Sequence, residues 1–541
     1  MRKTRAKRNK AAARMDVLTA FLLFGLIFVR YCYYGFTYYE QFDDYTRYSA
    51  FGGGGLGELF AALSAQPLTS ACDSFLWSRF AGKLIGAVAV ISGLYAVSGA
   101  ALHAVFRRRF GTGHLFYVVY ALLPLGFEGS YWLSASSRIV PALFFAALSL
   151  LSFDHWCESG KKSALVLFAA LQFICFCFYE QVALFSAAAT LVVMFAVPKS
   201  RRRRAQGGWL FLGNGLLYFL LARLLPADGD SGKALSFLDL HRNGSLKQSP
   251  AWEQIGAVFQ QGGAGTLGKG LKRGFELFVT EPNYIYILFV LTLAFSFYVA
   301  ARNTHRTSVR FFAEFLSGFF LAVVPLAGYL FLKLPNFAVR NAIPAFCGLA
   351  LVADALSDLV FGNMRNGEKK SAVFAAVLAA LCCVSSVSEL HDYRATTLSD
   401  TRICTAAGRA ITDLRAPVGE RRVVFLLNVE PSYLQDGNFF YREHDYGVSS
   451  NAEAMTDTVA ILAKRPAVAD GFLLTPCAGG EPLAASDAEL VSAAAYWYDG
   501  TAFVPVTLEK ETEVWQASGA DGRIYAALEK NAAGKWALKV K

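Results

Sequence analysis

Read for the spacing of apolar and polar residues, the chain falls into two parts. Up to about residue 390, long apolar runs alternate with short polar breaks, near 16–34, 80–105, 112–127, 138–153, 163–179, 182–198, 207–226, 283–301, 311–333, 341–361 and 371–390. A helix rises about 1.5 Å per residue, so roughly 20 apolar residues cross the ~30 Å hydrocarbon core of a bilayer. These runs predict about eleven membrane-spanning helices, several of them short. The stretch 163–197 is too long for one crossing, and a single crossing would put Arg201–Arg204 outside. Two short helices with Tyr179-Glu180-Gln181 at an outer hairpin tip solve both problems.

Past Glu389 the periodicity becomes that of a soluble domain. Residues 399–414 and 451–463 predict helices, the second capped by Ser450 or Asn451 with Glu453 in its first turn. Residues 423–429 predict a strand. Short runs at 501–508, 513–517, 523–528 and 536–540 predict a β-meander. The expected fold is an all-α polytopic membrane bundle over 16–390, with a basic arm at 1–15 and a small α/β or α+β domain at 391–541. No internal repeat is evident.

Charge gives the orientation. The loops at 1–15, 106–110, 154–162, 199–204, 302–310 and 363–370 carry 23 Lys/Arg in 52 residues, and those at 35–79, 127–138, 227–282 and 334–340 carry 10 in 120. The positive-inside rule then predicts a cytoplasmic N-terminus and an extracytoplasmic C-terminal domain, in a plasma (inner) membrane. The first run ends in Tyr31-Cys32-Tyr33-Tyr34, which reads as an aromatic belt closing a retained signal anchor. Residues 1–390 hold 37 Lys/Arg against 21 Asp/Glu, and residues 391–541 hold 15 against 20. Basic residues confined to short cytoplasmic clusters point to anionic lipid and exclude a nucleic-acid partner. Of the ten cysteines, only Cys404 and Cys477 fall in the C-terminal domain, where an oxidising exterior would let them pair.

Ionisable residues near the bilayer are costly and often mark function. Here many share the outer boundary: Arg30, then Asp43, Asp44 and Arg47, then Glu128 and Arg138, Glu180, Arg223, Lys333 and Arg340. Snorkelling to water accounts for any one of them as well as a functional role does, but less well for the whole set on one side; it is the better account of Glu314, Asp354 and Asp358 at inner helix ends. Asp43-Asp44 can supply a general base or ligands for a divalent cation such as Mg or Mn, or can cap the next helix as a solvated acidic turn. Glu180 is a second acid, an acceptor ligand or a polar tip. Arg340, before Pro344, can grip a phosphate with two hydrogen bonds, with Lys333 and Arg138 assisting as point charges. The outer loops 35–79 and 227–282 are long. The first carries Gly52–Gly55, which lacks the ending of a phosphate loop and reads as a hinge. The second has an interfacial helix expected near 252–259 and is flexible enough to close over a site.

Phe42-Asp43-Asp44-Tyr45 in the first outer loop and Tyr131-Trp132-Leu133-Ser134-Ala135-Ser136 before the fourth run carry a family resemblance. With the late outer arginine and the C-terminal outside domain, the layout resembles the GT-C class of polytopic glycosyltransferases. That class includes protein O-mannosyltransferases, aminoarabinose transferases and O-antigen glucosyltransferases. The resemblance implies inverting transfer from a polyprenyl-phosphate-linked sugar donor, with Asp43 or Asp44 as base or metal ligand and Arg340 on the donor phosphate. Arg47, Glu128, Tyr131 and Trp132 join the expected substrate-binding set. The acceptor, whether glycan, lipid or protein, is not read from it. A transporter or flippase would place substrate groups near the midplane and show repeats. A membrane scaffold would leave the first-loop acids without a role.

Overall fold

The computed structural model describes residues 20–51, 67–80, 82–196, 201–224, 250–302, 311–331, 337–415, 421–432, 447–483, 485–532 and 534–540. The basic arm, Gly52–Gly55, Lys333 and residues 225–249 of the second long loop lie outside them. The chain divides into two compact units. One takes in residues up to Tyr38 and most of 54–390, and the other Tyr39–Gly53, His391–Gly437 and Glu443–Lys541.

The first unit is helical. Among the described residues, five helices are long and apolar enough to cross a membrane: Ile85–Arg109, Leu133–Ser159, Phe311–Leu330, Val339–Phe361 and Gly367–Ala410. Shorter apolar helices occupy Ala20–Tyr31, Lys162–Phe176, Gln181–Ala196 and Gly208–Leu220. Among the described residues, the expected count of about eleven spans is not confirmed. The run at 112–127 is the clearest departure. It forms a helix over Leu115–Leu122, a 3-10 turn at Pro124–Gly126 and a second short helix at Phe127–Tyr131. Eight residues rise only about 12 Å. The break follows from Pro124: the residue before a proline is pushed out of the helical region, and Leu123 has ψ 123°. At 163–197 the chain does turn, with Cys177, Phe178 and Tyr179 separating Lys162–Phe176 from Glu180–Ala196.

The described part of the second long loop is helical too, over Pro250–Ala257, a wider π-type turn Val258–Gly265 and Thr266–Thr280. Gly274 of the last helix lies against the backbone of Val384 and Ser385. Helices Phe311–Ala327 and Phe346–Phe361 cross at Gly318 and Gly348. A β-carbon on Gly348 would overlap the backbone of Gly318, Leu321 and Ala322. Small residues at such crossings let backbones approach where apolar lipid offers no hydrophobic drive. Tyr31 and Tyr33, expected in an aromatic belt at the outer interface, are buried at 0% and 3% exposure, because neighbouring helices cover that end of the first helix.

The second unit is α/β. Among the described residues its strands are β1 (Arg422–Leu427), β2 (Phe472–Cys477), β3 (Pro482–Leu483), β4 (Ala494–Tyr498), β5 (Phe503–Glu511), β6 (Val514–Gly519), β7 (Ile524–Lys530) and β8 (Trp536–Val540). They form one sheet in the order β2-β1-β4-β5-β6-β7-β8-β3. β1 runs parallel to β2 and β4, and β4 to β8 make the antiparallel meander. Side chains alternate across a sheet. Leu426 and Leu474 face a core shared with helix Ala452–Leu462, while Phe425, Leu427 and Cys477 face another with Trp515 and Trp536. Asn451 caps Ala452–Leu462 by accepting from the Ala454 amide at 3.0 Å. Cys404 lies in the first core and Cys477 in the second, so the sheet separates the two thiols and both are free.

Helix Gly367–Ala410 has 44 residues, about 66 Å at the helical rise, so it extends well past the apolar stretch 371–390. Asp400, in the extension within the second unit, is fully buried. It accepts from the Val448 amide at 3.2 Å on each oxygen. Burial pushes its carboxyl up to about 7, against smaller opposing effects of Ser432 and Val448. Between the unfolded value near 4 and about 7, the folded chain therefore holds a proton the unfolded chain has released. Stability of this unit should fall as pH rises through that window and level off above it. Thermal melts of the full chain in detergent at pH 5 and pH 8 should differ less for Asp400→Asn than for wild type, and an unchanged pH response would contradict the assignment. For the helix crossing, Gly348→Ala should cost about 1–3 kcal/mol in detergent unfolding. Gly213→Ala, where a β-carbon meets nothing within 4 Å, should be neutral or slightly stabilising.

Candidate functional site

The site grows from the broken helix. After Pro124–Gly126, the five residues Phe127–Tyr131 turn back, and the chain extends again at Trp132 (φ −63°, ψ 113°) before helix Leu133–Ser159. Two glycines let this segment lie directly on the 3-10 turn Val339–Ala345. A β-carbon on Gly126 would strike the Phe346 ring, and one on Gly129 would sit 3.3 Å from the Arg340 Cα and collide with Ile343.

The close approach places Glu128 against Arg340. The guanidinium Nη1 lies 3.6 Å from Glu128 Oε1, and the Arg340 amide donates to Oε2 at 3.2 Å. The Arg340 guanidinium also sits over the Trp132 ring, 5.3 Å from its centre. Burial is unequal: the Glu128 side chain is 1% exposed and that of Arg340 21%. Carboxylate and ring therefore hold the cation from the protein side while part of it stays open. Asn341, next in the turn, accepts from the Tyr179 hydroxyl at 3.5 Å, and Gln181 donates to Tyr329. The Tyr131 ring packs at 4.9 Å from Tyr31 and 5.1 Å from Tyr38, whose hydroxyl accepts from the Leu133 amide at 2.9 Å.

Glu128, Trp132 and Arg340 come together, with Tyr131 beside them. Glu180 opens helix Glu180–Ala196. Arg138 is half-buried in helix Leu133–Ser159. Asp43, Asp44 and Arg47 belong to the second unit, in helix Asp43–Phe51, whose neighbours Phe42 and Tyr45 pack into its core. Asp44 is 1% exposed, so its carboxylate is not solvated, whereas Asp43 is half-buried. Asp44 Oδ2 accepts from the Gln41 amide at 3.0 Å, closing the turn that starts the helix, and Asp43 is the more accessible of the two.

Glu314, Asp354 and Asp358 depart from the snorkelling expectation. They are buried, and one carboxylate oxygen from each lies within 4.8 Å of the others, close enough to share a cation. Thr112 donates to Glu314 at 2.6 Å and the Gly113 amide to Asp354 at 2.6 Å, which ties the 111–114 turn to this cluster. Asp354 and Asp358 share a helix face by their spacing of four, a signal visible in the sequence. Their approach to Glu314 depends on the Gly318–Gly348 crossing.

No protein-family model and no curated protein matches the chain. Among solved structures, the chain is similar to the apo crystal structure of ArnT from Cupriavidus metallidurans, with 13% sequence identity. The match covers 91% of this chain and 94% of that one, with a TM-score of 0.42. A likeness of that degree carries nothing about chemistry.

Proposed function

We propose that the protein is an inverting membrane glycosyltransferase that moves a sugar from a polyprenyl-phosphate donor to an acceptor hydroxyl at the outer face of the plasma membrane. The observation that supports this reading is the partly open Arg340, braced by buried Glu128 and by Trp132. A guanidinium offers parallel N–H donors that match phosphate oxygens, and it keeps its charge in apolar surroundings. In the proposed reaction the acceptor oxygen attacks the anomeric carbon and the bond to the phosphate oxygen breaks. The polyprenyl phosphate leaves, and the hydroxyl proton passes to a carboxylate. Arg340 stabilises the charge that builds on the leaving phosphate.

Asp43 and Asp44 are proposed as the base or as ligands for Mg or Mn, with Asp43 favoured by its greater exposure. Glu180 is the second candidate acid. Arg47, Arg138, Lys333, Tyr131 and Trp132 are proposed substrate contacts. The proposed acceptor is a hydroxyl of a glycan, a lipid or a protein.

Purified protein should bind decaprenyl phosphate, and Arg340→Gln should weaken that binding about tenfold or more, as loss of a charged phosphate contact costs 1.5–3 kcal/mol. Equal affinity would remove Arg340 from phosphate binding. With defined polyprenyl-phosphate sugars, Asp43→Asn or Asp44→Asn should lower turnover by about 10²–10⁴-fold, whichever carries the base. Wild-type turnover in both would discard the pair. A reporter fused after Lys541 should be active only outside the cytoplasm.

A further inference from the structure

Helix Ala20–Tyr31 carries a full positive charge at Arg30, which is 1% exposed. Its Nη1 donates to the Leu122 carbonyl at 3.1 Å and its Nη2 to the Tyr31 phenol oxygen at 2.9 Å. The guanidinium carbon lies 4.9 Å from the centre of the Tyr31 ring and 5.3 Å from that of Phe127. These four contacts are all to neutral groups. A cation removed from water against neutral partners is costly, and an aliphatic residue would serve packing better. The position makes sense only if its directed donors are needed.

What they hold is the break. Leu122 is the last residue of helix Leu115–Leu122, where Pro124 stops the ladder and leaves carbonyls without partners at the negative end of the helix. Arg30 takes one of those carbonyls, and the Tyr95 hydroxyl takes that of Tyr120 at 2.5 Å. Tyr31 carries the connection onward. Its hydroxyl lies 2.5 Å from Ser130 Oγ, which donates to the Gly126 carbonyl at 2.8 Å. Leu122 O, Arg30, Tyr31, Ser130 and Gly126 O thus form one continuous clamp that fastens both sides of the break to a single helix. Glu128 lies between the two points held by Ser130 and Gly126, and Trp132 lies just beyond. On the opposite side, Gly129 meets Arg340.

We infer that Arg30, acting through Tyr31, is a positioning residue that sets where Glu128 and Trp132 meet Arg340. Its binding consequence rests on the reading of Arg340 as a phosphate contact; its geometric consequence does not. The site's cation is held by a segment too short to hold its own shape, so the clamp sets the register. Loss of the Tyr31 hydroxyl opens the clamp while leaving ring packing and the buried charge in place. That separates positioning from folding.

The test uses the full chain in detergent with decaprenyl phosphate as probe. Tyr31→Phe and Arg30→Met should each weaken binding about tenfold, the scale on which supporting residues act on a site. The double variant should lose no more than the worse single variant, and neither should add to Arg340→Gln. Wild-type affinity for Tyr31→Phe, or fully additive losses with Arg340→Gln, would overturn the inference. Should Arg340→Gln itself bind normally, the phosphate reading fails. The clamp is then judged by melting temperature: Tyr31→Phe and Glu128→Gln should be non-additive, and strict additivity would refute it. A failure of Arg30→Met to fold leaves Tyr31→Phe to decide.

Discussion

Backbone carbonyls released by a broken helix in apolar surroundings must be taken up by something, since no water is at hand to receive them. At Leu115–Leu122 the donors come from other helices: Tyr95 from Ile85–Arg109 and Arg30 from the first span. Most of what is distinctive in the first unit depends on that substitution. It allows a turn at Pro124, the turn lets residues 127–132 fold back, and the fold-back carries Glu128 to Arg340. Gly126 and Gly129 supply the space, because any side chain there would hold the segment away from Phe346 and the 339–345 turn.

The charges follow the same logic at different exposures. Arg30 is sealed and its work is geometric. Arg340 is braced by a buried carboxylate and a ring yet remains open over a fifth of its side chain. Glu314, Asp354 and Asp358 sit deep and bind a turn through Thr112 and Gly113. In the second unit Asp400 plays a comparable part, holding the start of the Val448–Ser450 turn at the expense of a proton affinity far from that of an exposed acid.

Much of this was legible in the order of residues. Apolar runs marked most of the helices, and alternating runs after 501 marked the meander, since each depends on local periodicity. Asn451 announced its helix by a side chain able to cap it. Pro124 marks the break inside the apolar run 112–127, which by length alone predicts one helix. Glu128, Trp132 and Arg340 stood out as charged or aromatic residues at one boundary.

What no linear pattern contained was which of those residues meet. Glu128 and Arg340 are 212 positions apart, and their contact comes from two glycines against one turn. The same holds for Cys404 and Cys477, separated by a sheet, and for Tyr31 and Tyr33, covered by helices that a single-span reading cannot see. Periodicity records which face of an element avoids water, and so the sequence by itself determined the elements and their apolar faces. Only the tertiary structure decided which partner each face received, because packing depends on volumes and backbone approach between segments distant along the chain.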